Sequence, residues 1–278
     1  MIGLSAALLL TLLAAPAPME PSTLLDVQRT ADAPGDRRVF VSETELTVTD
    51  AGLESRQVNR QRFEIETLAA APGGLTLRYR LLDAALTDSR DPGLESLLKA
   101  WIGVDVAFSA DAAGRPIDLM DWSAVRDAYA ARLEAAGADA GTRDRVLRDL
   151  ETLSSEARVA MILGDVALLA DMQPRRPLVA GRFDQPVERQ DGLVRTATLS
   201  VSPAPDGCGL TLTRSLGMER AVASGPAESI RQDFSARLHV VDGWAAEATR
   251  TTSTSGRAGM LETVRVLRDP QPVCATTP

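Results

Sequence analysis

The chain has 278 residues, 45% of them hydrophobic and 24% charged, with a net charge of −8. That is enough apolar material for a substantial core, which excludes disorder throughout. The acidic balance, without any basic block, excludes a phosphate-backbone partner such as nucleic acid.

The opening segment, MIGLSAALLLTLLAAPAPMEP, carries an apolar run from Ile2 to Ala15 followed by small residues and prolines. The run has the length of a signal-peptide core and is too short to cross a bilayer as a helix. Export to the periplasm or the medium is therefore expected, with residues 1–17 removed at the small-residue site Ala15-Pro16-Ala17, although no Lys or Arg precedes the run. No cysteine follows it to take a lipid anchor, and no later stretch reaches membrane-spanning length, so the processed chain is not expected to span a membrane. Residues 18–37 read as a Pro-rich linker that ends in a first edge strand. Residues 38–278 read as a single α+β domain with a helical insert at 123–172.

From Arg38 the apolar period is two. Phe63 and Ile65 alternate with Arg62, Glu64 and Glu66, and Leu75, Leu77, Tyr79 and Leu81 alternate with Thr76, Arg78 and Arg80. This is the pattern of antiparallel strands with one wet face, and Ala71-Pro72-Gly73-Gly74 between them predicts a hairpin over 58–86. A short helical piece follows Asp91-Pro92-Gly93, with Leu94, Leu97, Leu98 and Trp101 at helical spacing. VDVAF and PIDLMD then form two strands around Ala113-Gly114. Next come three helices: one capped by Ser123 with the stripe Val125, Ala128, Tyr129, Leu133 and Ala136; one from about Thr142; and one running to Met172 before Pro174. After Gly181 the period returns to two through five candidate strands: GLVRTATLSV, CGLTLTRSL, ESIRQDFSARLHVV, GWAAEATRTTSTS and GMLETVRVLR. Asp-Gly and Ser-Gly turns between them predict a meander.

Strands, helices and strands again are satisfied together by a large antiparallel sheet whose apolar face is covered by two or three inserted helices. This order resembles the lipoprotein-carrier type of half-barrel, in which a strongly curved sheet wraps a few helices around a hydrophobic cavity. It is also similar to exported bacterial proteins of unknown function that share an FSADAAGRPIDL-like strand–turn–strand and a meander running from DGW to ETVRVL. The resemblance covers roughly residues 38–268 and implies no catalytic motif; the long helical insert and the scarcity of aromatics depart from a typical carrier.

Cys208 and Cys274 are the only cysteines, and both lie beside turn-like sequence. In an oxidising compartment a disulfide between them is expected, closing a loop of about 67 residues and contributing roughly 4 kcal/mol in the chain-entropy picture.

Residues with catalytic potential find bland uses. His239, the sole histidine, falls in the polar phase of ARLHVV and reads as a surface strand residue, since acid–base work needs a pocket and a partner that the sequence does not show, and neither a His pair nor a His/Cys cluster can be assembled for a metal. Ser96 and Lys99 match S-x-x-K, but the companion motifs S-D-N and K-T-G are missing. Asp111, Asp118 and Asp121 crowd one turn, where acidic groups suit a helix entry, and Glu64 and Glu66 read as solvating. No catalytic residue, metal site or cofactor is assigned.

One ligand-sized apolar set stands out: Trp101, Phe108, Leu119, Met120, Trp122, Tyr129, Leu133, Ile162, Leu163 and Leu169. These side chains either line a cavity between sheet and helices or fill one another's gaps as a core, the default of dense interiors. The expected function is non-enzymatic binding of an apolar or amphiphilic ligand, a lipid or a lipidated partner. An envelope structural or interaction protein with a filled core is the alternative.

Overall fold

Alternating apolar residues can bury one face of a strand only if something covers that face, and here a single sheet shares one cover. The computed structural model describes residues 24–25, 32–50, 52–87, 92–171, 173–174, 177–190, 193–205, 207–220, 228–239, 242–256 and 258–272. The apolar run Ile2–Ala15, most of the 18–37 linker and Cys274 lie outside the described residues. In chain order the elements are β1 (Leu24–Leu25), β2 (Arg37–Asp50), β3 (Leu53–Ala71), β4 (Gly74–Thr87), α1 (Pro92–Lys99), β5 (Asp105–Ala110), β6 (Pro116–Leu119) and α2 (Trp122–Ala135). There follow α3 (Ala140–Thr152), α4 (Ser155–Asp171), β7 (Leu178–Val179), β8 (Gly181–Asp184), β9 (Glu188–Gln190), β10 (Leu193–Pro203), β11 (Gly209–Arg220), β12 (Glu228–His239), β13 (Ala245–Ser255) and β14 (Ala258–Arg268).

Apart from the short β1–β7 pair, the strands form one antiparallel sheet in the order β6-β5-β4-β3-β2-β14-β13-β12-β11-β10-β8, with β9 beside β10. The architecture is the expected α+β sheet with inserted helices. The strand that begins at Arg37 is not an edge. It sits at the centre, paired with β3 on one side and with β14 on the other, Val266 opposite Ser42 and Val264 opposite Thr44. Joining β2 to β14 unites the two meanders and removes two exposed edges at once.

The sheet is rolled. Asp171, at the end of α4, pairs with Arg115 in the β5–β6 turn at 3.1 Å and also with Arg214 of β11. In a flat sheet β5 and β11, seven strand spacings apart, would be about 34 Å from each other. Register shifts that leave Leu82 of β4 and Leu68 of β3 unpaired between those two strands, and Ala246 of β13 unpaired against β12, supply local bends.

Phe40, Phe63, Leu77, Phe108, Leu238, Ala248 and Val266 form the buried concave face, met by Val159, Leu163, Val166 and Leu169 of α4. Phe40 stacks on Phe63, ring centres 5.5 Å apart, and Phe63 meets Tyr79 at 5.2 Å. A second cluster, built on Tyr129, Leu133 and Leu150, joins α2 to α3 and to the end of α1. The convex face is laced with cross-strand ion pairs such as Arg56–Glu45 and Arg80–Asp105.

Three sequence expectations change. His239 is 1% exposed: it ends β12 opposite Gly209, in an unbroken register with β11, where the chain turns into β13, and the residue that the β12–β13 register shift leaves unpaired is Ala246 of β13. The backbone N–H of His239 donates to Trp244 O, and its carbonyl accepts from Gly243 N–H, which closes the β12–β13 turn. Glu66 is buried rather than solvating, held by Arg78 and Arg37, and the Arg78 guanidinium draws its carboxyl below the usual range. The cap of α2 is Asp121, which accepts from Ala124 N–H at 3.2 Å and from the Ser123 hydroxyl at 2.8 Å, so Ser123 supports the cap instead of providing it.

Candidate functional site

Polar residues in the inward phase of β3 interrupt the core beneath α1 and α4. Asn59 and Gln61 continue the phase of Phe63 and Ile65, so both point at the concave side. Opposite them α1 is tied to β4, Gly103 N–H donating to Leu81 O at 2.8 Å, which brings Leu97, Leu98 and Trp101 over the sheet. Tyr129 from α2 and Met161 and Ile162 from α4 complete the walls of a cavity of about 300 Å³, floored by Tyr79 and Leu81. That volume is at the lower end of the range for ligand pockets, roughly 300–1,000 Å³.

The cavity has an apolar body and a polar end. Trp101 and Tyr129 lie parallel, ring centres 4.1 Å apart, and the Tyr129 hydroxyl donates to Leu97 O at 3.1 Å. Burial pushes that phenol up to about 12, so it stays a neutral donor at physiological pH. At the other end the Tyr79 hydroxyl reaches Gln61 Oε1 at 3.5 Å, and Asn59 Oδ1 is buried with no hydrogen-bond partner. A buried acceptor without a donor costs about 1–3 kcal/mol. Next to this end, burial raises the Asp165 carboxyl above its usual range, opposed by a hydrogen bond from Ser42 and by the Arg250 charge and assisted by Glu262.

The predicted apolar set divides. Trp101, Tyr129 and Ile162 line the cavity. Phe108, Leu133, Leu163 and Leu169 are fully buried and fill the core. Leu119 and Trp122 are half-buried against the core, and Arg158 lies over the Trp122 ring at 4.9 Å; Met120 is exposed. Sequence reading missed Asn59, Gln61 and Met161, although the first two carried a usable signal as polar residues in the apolar phase of a strand.

The remaining candidates have local partners. Lys99 Nζ pairs with Glu95 at 2.8 Å within α1 rather than addressing Ser96. Asp111 accepts from the backbone N–H groups of Ala113 and Arg115, and Asp118 accepts from the Ser155 hydroxyl. Among the described residues no group of three or more His, Cys, Asp or Glu is placed to hold a metal ion, and no helix is long and apolar enough to cross a membrane.

No family model matches the chain, and no curated protein matches it by sequence. Among solved structures, one titled "lipid-protein interactions in lipovitellin" is similar with a TM-score of 0.40 and 10% identity. The alignment covers 88% of this chain and 26% of that one, so the chain spans about a quarter of its length.

Proposed function

We propose that the protein is an exported, non-enzymatic binder of a single apolar or amphiphilic molecule, held between the sheet and the helices. The observation that carries the reading is the cavity itself. Its walls are leucine, isoleucine, methionine and stacked aromatics, and its polar end offers Asn59 Oδ1, a buried acceptor awaiting a donor. An acyl or similarly apolar body would gain about 0.8 kcal/mol per methylene buried. A hydroxyl or amide donor on the ligand would meet Asn59. The cavity is walled on one side by α4, whose backbone is non-helical at Leu163.

The test is calorimetric titration with single-chain amphiphiles carrying a hydroxyl or amide head, on the wild type and on Ile162→Trp, which fills the cavity. Binding by the wild type and its loss in a variant of unchanged melting temperature is the expected result. Equal binding by both proteins would remove this cavity as the site.

A further inference from the structure

The helical cover leaves part of the concave face open on the far side of α4. Beyond Asp171, two adjoining hollows of about 320 and 330 Å³ share Gln185, Ala197 and Leu216 and run along β10 and β11. On β11 the residues Leu212, Arg214, Leu216 and Met218 alternate onto one face. Leu199 opposite Arg214 and Ala197 opposite Leu216 extend that surface across β10. From Leu212 to Met218 the strand advances about 20 Å, the length of an extended long acyl chain. At the far end Met218 is 37% and Ile230 39% exposed, beside Glu188, Arg195 and Gln232 at the rim.

The inner end is charged. Two guanidinium groups, Arg115 and Arg214, share the single carboxylate of Asp171, which leaves one unit of positive charge in this cluster. Arg214 also lies over the Phe234 ring at 4.2 Å, and its Nε is buried with no acceptor. The basic end thus has unmet donor capacity, and the groove leading from it is lined by leucine.

We propose that this groove is a second, separate binding site, and that it takes a long-chain carboxylate, head against Arg214 and tail along Leu216 toward Met218 and Ile230. A carboxylate would neutralise the surplus charge and accept from the guanidinium, and a charge-assisted hydrogen bond of this kind is worth about tenfold or more in affinity. An uncharged ester of the same length would gain the apolar contacts alone.

The experiment compares hexadecanoate with its methyl ester, which carries neither a charge nor a hydroxyl or amide donor for Asn59, in equilibrium titrations, and maps a photoreactive hexadecanoate by mass spectrometry of its crosslinks. Wild type should bind the carboxylate about tenfold or more tighter than the ester, with crosslinks on β10–β12. Arg214→Gln should erase that preference, and Ile230→Glu, at an exposed position that leaves folding intact, should weaken both probes. Met161→Glu, in the wall of the cavity beneath α1 and α4, should leave the crosslinks of the photoreactive hexadecanoate on β10–β12 unchanged, which separates this site from the proposed function. Equal affinity for the two probes, an unaltered preference in Arg214→Gln, or crosslinks confined to α1, α2 and β3–β4 would overturn the assignment.

Discussion

Removing the Arg38 guanidinium is expected to cost more than any surface change, because it holds the two halves of the sheet at their seam. The Arg38 side chain is 6% exposed; its Nη2 donates to Asp32 Oδ1 at 2.8 Å and its Nε to Asp242 Oδ2 at 3.3 Å. Asp32, with a side chain 1% exposed, also accepts from Trp244 Nε1 at 3.0 Å, and Asp242 accepts from Arg268 at 2.7 Å. The guanidinium itself lies over the Trp244 ring at 4.9 Å. One cluster therefore binds β2 to the β12–β13 turn and to the end of β14. Arg38→Met would leave a buried carboxylate without its guanidinium, a loss of roughly 3–5 kcal/mol. At about 2–4 °C per kcal/mol for a domain of this size, the melting temperature should fall by about 6–20 °C, read by circular dichroism at pH 7. Asp242 fixes the sign of the pH dependence: burial pushes its carboxyl up, but Arg268, the Trp244 N–H and Arg38 outweigh burial and leave it below its usual value. Its contribution is thus present above the unfolded value of about 3.9 and lost as the pH falls through the lower folded value. Adding Asp32→Asn to Arg38→Met should recover part of the loss. A fall below about 1 kcal/mol, or strict additivity of the two substitutions, would refute the reasoning.

Three further outcomes follow from the same structure. Asp165→Asn should be more stable than the wild type at pH 8 and converge with it near pH 4, because a folded value raised by burial gives stability that is complete below the unfolded pKa and lost as pH rises through the folded one; a parallel pair of stability curves would contradict this. Gly209→Ala should lose about 1–3 kcal/mol or more, since a Cβ there would lie 1.7 Å from Leu238 O, and an unchanged melting temperature would show that the two strands can part freely. The proposed Cys208–Cys274 bridge predicts no free thiol in the oxidised native protein and a loss approaching roughly 4 kcal/mol in Cys208→Ser; two titratable thiols without reduction would reject it.

Strands were legible where the physics is local. The alternation through Phe63 and Ile65 and through Leu77 and Tyr79 specifies strands with one wet face, and the Gly-containing turns specify antiparallel neighbours. The central place of β2 was not legible, because its pairing with β14 joins residues more than two hundred positions apart and an alternating pattern does not name its partner. His239 was misplaced because it ends β12 where the chain turns into β13, and the alternation along a strand does not show what covers its end.

The candidate site was half legible. Apolar residues at helical and strand spacing announce burial, but not which of them meet. Leu163 and Leu169 ended in the core, whereas Ile162, one position away on the same helix, lines the cavity. Asn59 and Gln61 carried the better clue, because a polar residue in an apolar phase needs either a partner or a ligand. The groove along β10 and β11 depends on the curvature that brings Arg115 and Arg214 to one carboxylate, and no local pattern encodes that.

The central claim is that the space between α1, α2, α4 and the sheet is a ligand's seat. Native mass spectrometry of protein purified from its source without detergent, followed by organic extraction, tests it most directly. A bound amphiphile that Ile162→Trp does not carry is the expected result. Protein that is empty as isolated, and that takes up no single-chain amphiphile when offered one, would contradict it.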